Sequence, residues 1–153
     1  MPSLQDFISA HNVQARILAF DHPLPTVPLA AAAAGVLPDH IVKTLILHDR
    51  NARYVAVILS GDQRLDLGKV QRQVGAQKLK FLAPADVLRI TGYPAGGTPP
   101  FGFAQPILTL IDESVLAQQT VLGGGGRPEL LVQLTPTELV KISGALVGDF
   151  ARR

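Results

Sequence analysis

One lysine stands apart as a candidate for chemistry, because it is the only charged residue in an apolar segment. Lys43 lies within IVKTLIL at 41–47. If this segment is a strand, alternation places Lys43 on the same face as Leu45 and Leu47. An ammonium group among aliphatic neighbours must reach water or an anion. Lys43 therefore either extends to the surface of an edge strand or points into a cleft, where it binds a phosphate or a polarised carbonyl.

A second candidate is the segment GYPAGGTPPFG at 92–102, in which seven of eleven residues are Gly or Pro. Proline removes a backbone donor and glycine weakens regular structure, so neither a helix nor a strand interior tolerates this mixture. The segment predicts a stiff loop that is either a turn or the wall of a binding site.

Four consecutive glycines at 123–126 are the third candidate. A tight hairpin turn needs only two such residues, whereas four allow backbone N–H groups to approach a ligand and form an anion-binding nest. The following Arg-Pro has neither the Lys-Ser/Thr pair of a Walker loop nor a helix that opens on it. The sequence is therefore compatible with either a flexible turn or a phosphate-binding turn at these glycines.

The remaining reactive residue types predict no metal site and no side-chain triad. The sequence has no Cys, and no pair of its histidines has the spacing of a helical metal motif. No serine lies in a nucleophile elbow. Asp112 and Glu113 follow a strand and predict a cap, whereas His22 precedes a proline in a loop that could line a cleft. An enzyme with this sequence would work mainly by positioning and by backbone dipoles.

Composition predicts a globular protein with one core. The chain has 153 residues, of which 47% are hydrophobic and 17% charged, and its formal net charge is +2. We expect no secretion signal and no membrane span, and therefore a cytoplasmic protein. A net charge this small does not by itself predict a nucleic-acid-binding protein, although it is compatible with a local basic patch.

The hydrophobic pattern predicts short helices interspersed with strands. Ser3, Thr26 and Pro84 mark helix starts, and Thr135 with Glu138 matches a capping box. Strands are predicted at 15–20, 41–48, 54–60, 78–82, 106–111, 120–122 and 129–134. Some strands are separated by helices and others by turns. This order predicts an α+β fold, a single domain over 1–153 with a curved, barrel-like mixed β-sheet flanked by short helices.

Four segments, in this order, resemble the YbaK/ProX family of aminoacyl-tRNA deacylases, the free-standing relatives of the prolyl-tRNA synthetase editing domain. They are HPLPTVPLAAAAAGV at 22–36, IVKTLIL at 41–47, GYPAGGTPPFG at 92–102 and LGGGGRPELLVQLTPTEL at 122–139. The resemblance implies hydrolysis of the ester that joins a wrong, small amino acid to the terminal adenosine of tRNA of the tRNA-Pro type. It also implies a barrel-like domain that uses no metal and no cofactor.

The resemblance also implies roles for individual residues. Lys43 and Gly96 become the catalytic positions, with Lys43 holding the 3′ end or the reacting ester. Gly96 to Pro100 become a pocket wall, and Gly124 to Gly126 a turn facing the adenosine or the ester carbonyl. The implied substrate-binding residues are His22, Thr26, Thr44, Gly97, Thr98, Pro100, Gly102, Gly124, Gly125 and Gly126.

Two departures from the family pattern keep alternatives open. Many relatives have Ser where this sequence has Gly124, and a carboxylate near Thr137. A non-catalytic relative that binds tRNA or a synthetase is the second hypothesis, and a nucleotide-binding enzyme of another kind is the third. The expected partners are the tRNA acceptor end and prolyl-tRNA synthetase, with no membrane. The candidate phosphate neighbours are Lys69, Arg72, Lys78 and Lys80.

Overall fold

The computed structural model describes residues 3–153, which form five α-helices and eight β-strands. The helices are α1 (Leu4–Ala10), α2 (Val27–Ala34), α3 (Leu67–Val74), α4 (Pro84–Thr91) and α5 (Pro136–Ser143). The strands are β1 (Ala15–Ala19), β2 (Val42–His48), β3 (Tyr54–Ser60), β4 (Lys80–Phe81), β5 (Leu108–Asp112), β6 (Val121–Gly124), β7 (Leu130–Leu134) and β8 (Leu146–Gly148). Three short 3₁₀ turns lie at Pro38–His40, Ala95–Gly97 and Glu113–Ala117.

The first two helices begin at the predicted caps. The Ser3 hydroxyl accepts from the N–H of Asp6 at 3.1 Å, and the Asp6 carboxylate accepts from the N–H of Ser3 at 3.0 Å. The Thr26 hydroxyl accepts from the N–H of Leu29 at 3.3 Å. Gly35 ends α2 in the left-handed region at φ 70°, as its position after the alanines predicts.

Only half of the predicted capping box at α5 forms. The Thr135 hydroxyl accepts from the N–H of Glu138 at 3.1 Å. The Glu138 carboxylate instead accepts from the N–H of Gln14 at 2.8 Å. A contact between residues distant in sequence thus replaces the local one and joins α5 to the segment before β1.

The mixed α+β architecture is confirmed, with the strands arranged in two sheets that do not close. The smaller sheet has the order β1-β7-β6 and is antiparallel. The larger has the order β4-β2-β3-β5-β8, in which β2 pairs antiparallel with β3 and β4, and the pairs β3-β5 and β5-β8 are parallel. A parallel bridge between Ile41 and Leu122 joins the two sheets. The pattern did not predict β8.

The helices pack on both sheets through apolar residues. Leu4 of α1 and Leu139 of α5 join a core with Val132 and Ile111, one from each sheet. The other helices cover smaller clusters, in which α3 contributes Val70, α4 contributes Val87, and α2 contributes Ala30 and Ala31. In residues 3–153, no helix is long and apolar enough to cross a membrane.

Candidate active site

A pocket of about 290 Å³ lies along a stretch of β2 that no strand covers. On the edge opposite β3, β4 pairs only with Leu47 and His48, which leaves residues 42–45 open. Four segments surround this edge: the loop 24–27 with α2, the 3₁₀ turn at Ala95–Gly97 with Thr98, the end of β6, and the start of β7. The pocket therefore forms where the two sheets meet.

Lys43 is the only titratable residue that lines this pocket in the described part of the chain. Its Nζ donates to the carbonyl oxygen of Gly61 at 3.4 Å. Burial lowers the pKa of Lys43 from its usual value, Asp62 acts in the opposite direction, and Arg64 lowers the pKa further. A half-buried ammonium with one long hydrogen bond keeps donor capacity for an anion or a polarised carbonyl.

The 3₁₀ turn at Ala95–Gly97 and the strand β6 approach each other backbone to backbone. The carbonyl of Gly97 accepts from the N–H of Gly126 at 2.8 Å. A Cβ at Gly97 would lie 2.6 Å from the carbonyl carbon of Arg127, and a Cβ at Gly124 would collide with the carbonyl oxygen of Thr98. Glycine at both positions allows the pocket wall to sit this close to the strand.

Gly96 differs from its neighbour, because a Cβ there would have no other atom within 4 Å. The residue is exposed and lines the pocket. A side chain at 96 would thus change the pocket without disturbing the packing behind it.

Three threonine hydroxyls belong to residues that line the pocket. The Thr26 hydroxyl accepts from the N–H of Leu29, and the Thr98 hydroxyl donates to the carbonyl of Pro94 at 3.0 Å. The Thr44 hydroxyl is buried and has no hydrogen-bond partner within residues 3–153. With Lys43, these threonines are the residues with polar side chains that line the cavity within residues 3–153.

The structure brings seven of the twelve predicted site residues to this pocket. They are Thr26, Lys43, Thr44, Gly96, Gly97, Thr98 and Gly124. The other five lie elsewhere.

Pro100 lies behind the wall, where its Cδ is 3.1 Å from the position of a Cβ on Gly123. Gly102 adopts φ 80° beside Leu4 and Phe7 of α1. Pro100 thus supports the wall from behind, whereas Gly102 lies against α1.

Gly125 and Gly126 line a separate depression of about 250 Å³ beside Tyr93. Their N–H groups donate to the carbonyls of Leu130 at 2.9 Å and Gly97 at 2.8 Å. Because both donors are used within the protein, this turn does not form the anion-binding nest considered from the sequence. His22 is exposed, with its Nδ1 at 2.7 Å from Asp21 Oδ1.

Sequence reasoning missed most of the apolar lining, which consists of Leu24, Pro25, Val27, Ala30, Ile41, Val42, Leu45, Ala95, Leu130 and Leu131. Apolar residues carry no chemical signal that separates a pocket wall from a core. Gly123 was also missed, because β6 extends to Gly124, beyond the strand predicted at 120–122.

The four candidate phosphate neighbours do not form one group. The Lys69 ammonium donates to Asp149 at 2.9 Å and to the carbonyl of Ala151 at 2.7 Å, which commits it to the C-terminal segment. Arg72 is exposed on α3, whereas Lys78 and Lys80 line a different cleft beside the β2–β3 hairpin. Within 3–153 no group of three His, Asp or Glu residues is placed to hold a metal ion.

Comparison with known proteins identifies relatives of this chain. The family described as "Aminoacyl-tRNA editing domain" matches residues 21–142. YwhH of Bacillus subtilis is 30% identical over 143 residues, which cover 94% of this chain and 90% of that protein. The Enterococcus faecalis protein "Putative Cys-tRNA(Pro)/Cys-tRNA(Cys) deacylase EbsC" is 26% identical over 121 residues, covering 79% of this chain and 72% of its own length.

A solved structure has the same fold over the whole chain. The "Crystal structure of a putative trans-editing enzyme for prolyl tRNA synthetase" superposes with a TM-score of 0.89 at 32% identity. The alignment covers 100% of this chain and 99% of that one.

Proposed function

The chain belongs to the aminoacyl-tRNA editing domain family, which indicates an aminoacyl-tRNA deacylase activity, and we propose that it hydrolyses the ester of mischarged tRNA of the tRNA-Pro type. The observation that carries this proposal is the pocket in which Lys43 is the only titratable lining residue of the described chain. The relatives whose names mention Cys-tRNA(Pro) and prolyl-tRNA synthetase support the choice of tRNA.

The amino acid is a small one in this proposal. A cavity of about 290 Å³ is at the low end for ligand sites, which typically span about 300–1,000 Å³. It must hold the ester and part of the ribose as well as the side chain. Its lining is mostly aliphatic, which suits a side chain such as that of alanine or cysteine.

Lys43 would bind the carbonyl oxygen of the ester and stabilise the negative charge that develops there. Water adds to the carbonyl carbon, and the ribose oxygen leaves with a proton, so that free amino acid and uncharged tRNA result. The lining residues include no carboxylate and no histidine to remove the proton from water. A free hydroxyl of the ribose is the group best placed to orient this water, and positioning supplies much of the rate enhancement.

The proposal also assigns the pocket wall a part in selection. Gly96 and Gly97 bring backbone to the cavity, and Thr26 and Thr98 are polar residues at its border. These residues would orient the amino acid and the ribose relative to Lys43. Prolyl-tRNA synthetase is the proposed source of the mischarged tRNA, which the deacylase would receive after release or through direct contact.

The test is a deacylation assay with a panel of mischarged tRNAs. We expect release of amino acid from tRNA-Pro carrying alanine or cysteine, slower release from bulkier residues, and the same rates after treatment with EDTA. Release confined to another tRNA would contradict the choice of tRNA-Pro. Tight binding of a non-hydrolysable aminoacyl-adenosine without turnover of any panel member would contradict the deacylase itself.

A further inference from the structure

A second concave region, of about 500 Å³, lies at the far end of β2 from the active-site pocket. The turn between β2 and β3, the short strand β4 and the helix α4 surround it. We call it the basic cleft and define it by His48, Arg50, Lys78, Lys80 and Arg89. The proposed deacylase chemistry uses none of these residues.

Both carboxylates in the basic cleft are already paired. Asp49 accepts from Nε of Arg53 at 2.6 Å, and the Arg53 and Asn51 N–H groups also donate to it. Asp86 pairs with Arg89 at 3.1 Å within α4. The acidic groups of the basic cleft therefore do not neutralise its other cations.

Three cations in the basic cleft lack a carboxylate partner. No carboxylate in residues 3–153 lies within 4 Å of the charged nitrogens of Arg50, Lys78 or Lys80, and all three residues are exposed. The whole chain has a formal net charge of only +2. Three unpaired cations around one cavity are thus a local concentration of positive charge that a multivalent anion would neutralise.

The backbone of the basic cleft is ordered by specific contacts. Lys80 pairs directly opposite His48 in the β2–β4 ladder. The residue between the two lysines, Leu79, is buried, and its N–H donates to the Gln71 side chain at 3.1 Å. The lysines therefore project from a fixed segment, which lowers the entropy lost on binding.

The basic cleft and the active-site pocket share one edge of β2. The pocket uses the open edge at 42–45, and β4 adds to the same edge at Leu47 and His48. At the rise of a strand, the five steps from Lys43 to His48 span roughly 16 Å. Several nucleotides of a single strand bridge such a distance.

We infer that the basic cleft binds backbone phosphates of the acceptor end of the tRNA whose aminoacyl ester occupies the pocket. The inference rests on the proposed function. If the 3′ end of tRNA enters the pocket, the rest of the acceptor end must lie outside it, where its phosphates need cationic partners. The three cations suit phosphate groups, since Arg50 can form bidentate contacts with phosphate oxygens while the two lysines act as point charges. Phosphate oxygens on successive nucleotides fit cations that are spread over a 500 Å³ cavity.

The test compares two triple variants with the same change of charge. The cleft variant combines Arg50→Gln, Lys78→Gln and Lys80→Gln, and the control variant combines Arg16→Gln, Lys141→Gln and Arg152→Gln. All six residues are exposed. Binding of uncharged tRNA is measured by fluorescence anisotropy from 50 to 300 mM salt. Deacylation is measured with full aminoacyl-tRNA and with an aminoacyl-CCA trinucleotide, and inorganic phosphate serves as a competitor.

We expect the cleft variant to bind tRNA roughly tenfold more weakly and to lower the slope of log affinity against log salt by about 2, as expected for three lost phosphate contacts. Its activity on the trinucleotide should stay within about twofold of wild type. The inference would be overturned if the control variant lost as much tRNA affinity as the cleft variant. It would also be overturned if the cleft variant kept the wild-type slope of log affinity against log salt. Binding of millimolar inorganic phosphate to the wild type but not to the cleft variant, with the same tRNA affinity in both, would overturn it as well and would assign the cleft to free phosphate. Absence of turnover by the wild-type protein on both substrates, while tRNA binding still depends on the cleft, would instead contradict the proposed function.

Discussion

At the scale of the residue, Lys43 is an ionisable group kept in a partly desolvated position. Its pKa is lowered because burial disfavours the charged form, with Asp62 opposing the shift and Arg64 adding to it. The unfolded chain therefore holds a proton on this lysine at pH values where the folded chain has begun to release it. The free energy of unfolding must rise with pH in that interval, which ends near the ordinary lysine pKa.

Replacing Lys43 with methionine should separate stability from activity. Lys43→Met removes the cost of partly burying a charge, so we expect the free energy of unfolding at pH 7 to rise by up to about 1 kcal/mol, while deacylation is lost. The gain should shrink as the pH rises toward the ordinary lysine pKa, because the wild-type lysine then loses its proton. Urea unfolding at several pH values measures both effects. A less stable variant at pH 7 would show that the ammonium contributes to folding.

At the scale of the element, the pocket depends on how closely the 3₁₀ turn at Ala95–Gly97 lies against β6. Gly124 and Gly96 both line the pocket, yet their surroundings differ. A Cβ on Gly124 would collide with the Thr98 carbonyl, whereas a Cβ on Gly96 meets open space. A serine at 124, as in many YbaK/ProX relatives, would require this turn to lie farther from β6.

Alanine at these two positions gives a matched pair. Gly124→Ala should lower the free energy of unfolding by roughly 1–3 kcal/mol, because backbone must move, and should reduce deacylation of every substrate. Gly96→Ala should keep stability within about 0.5 kcal/mol of wild type and should lower kcat/KM about tenfold more for a larger amino acid than for a smaller one. Thermal unfolding and the deacylation panel measure the pair. Equal stability loss in both variants would mean that the turn has only a structural role.

The elements themselves were predictable wherever the signals were local. Ser3, Thr26 and Gly35 act within one turn of their own positions, and each marks a helix boundary as expected. Lys43 was found because a lone charge in an apolar strand is visible without knowledge of the tertiary structure. The strand β8 was not found, since its three residues are too short to show alternation and pair only with β5, far away in sequence.

The details of the site depend on contacts that no local pattern reports. The N–H of Gly126 donates to the carbonyl of Gly97, so two segments predicted separately are in fact bonded to each other. The basic cleft draws Arg50 and Lys80 from different elements, which the β2–β4 pairing brings together. Predicting such features requires knowledge of the register of the sheets, which the sequence pattern does not specify.

At the scale of the whole molecule, Asp112 joins the C-terminal segment to the larger sheet. Its side chain is fully buried and accepts from the N–H of Phe150 at 2.8 Å, and the Arg153 guanidinium lies 3.3 Å away. Burial alone would raise the pKa of Asp112. Hydrogen bonds from Ser114 and Phe150, together with the charge of Arg153, outweigh burial and hold the pKa below its usual range.

Because the pKa of Asp112 is depressed in the folded protein, its contribution to stability is present above the unfolded pKa and is lost as the pH falls through the folded value. We expect Asp112→Ala to lower the free energy of unfolding at pH 7 by roughly 2–3 kcal/mol and to weaken the acid dependence below pH 4. Glu113→Gln, which removes an exposed contact to Arg153 at 3.2 Å, should change stability by less than about 1 kcal/mol. Chemical denaturation from pH 2 to 7 measures both. If the free energy of unfolding of Asp112→Ala falls with acid as steeply as that of wild type, the depressed pKa of Asp112 does not contribute to acid stability.

The strand β2 is the element common to the pocket and the basic cleft. Lys43 lies at the pocket end of β2, and Arg50, Lys78 and Lys80 lie around the other end. The participation of Lys43 in hydrolysis is therefore the central claim of the proposed function.

The most direct measurement is the single-turnover rate of deacylation of alanyl-tRNA-Pro by wild type, Lys43→Arg and Lys43→Ala, with circular dichroism to confirm that each is folded. We predict that Lys43→Ala loses at least about a hundredfold in rate, in line with removal of one group that stabilises a developing oxyanion. Lys43→Arg, which keeps the charge with a different shape, should retain part of the activity. A folded Lys43→Ala variant that hydrolyses the ester at the wild-type rate would contradict the account.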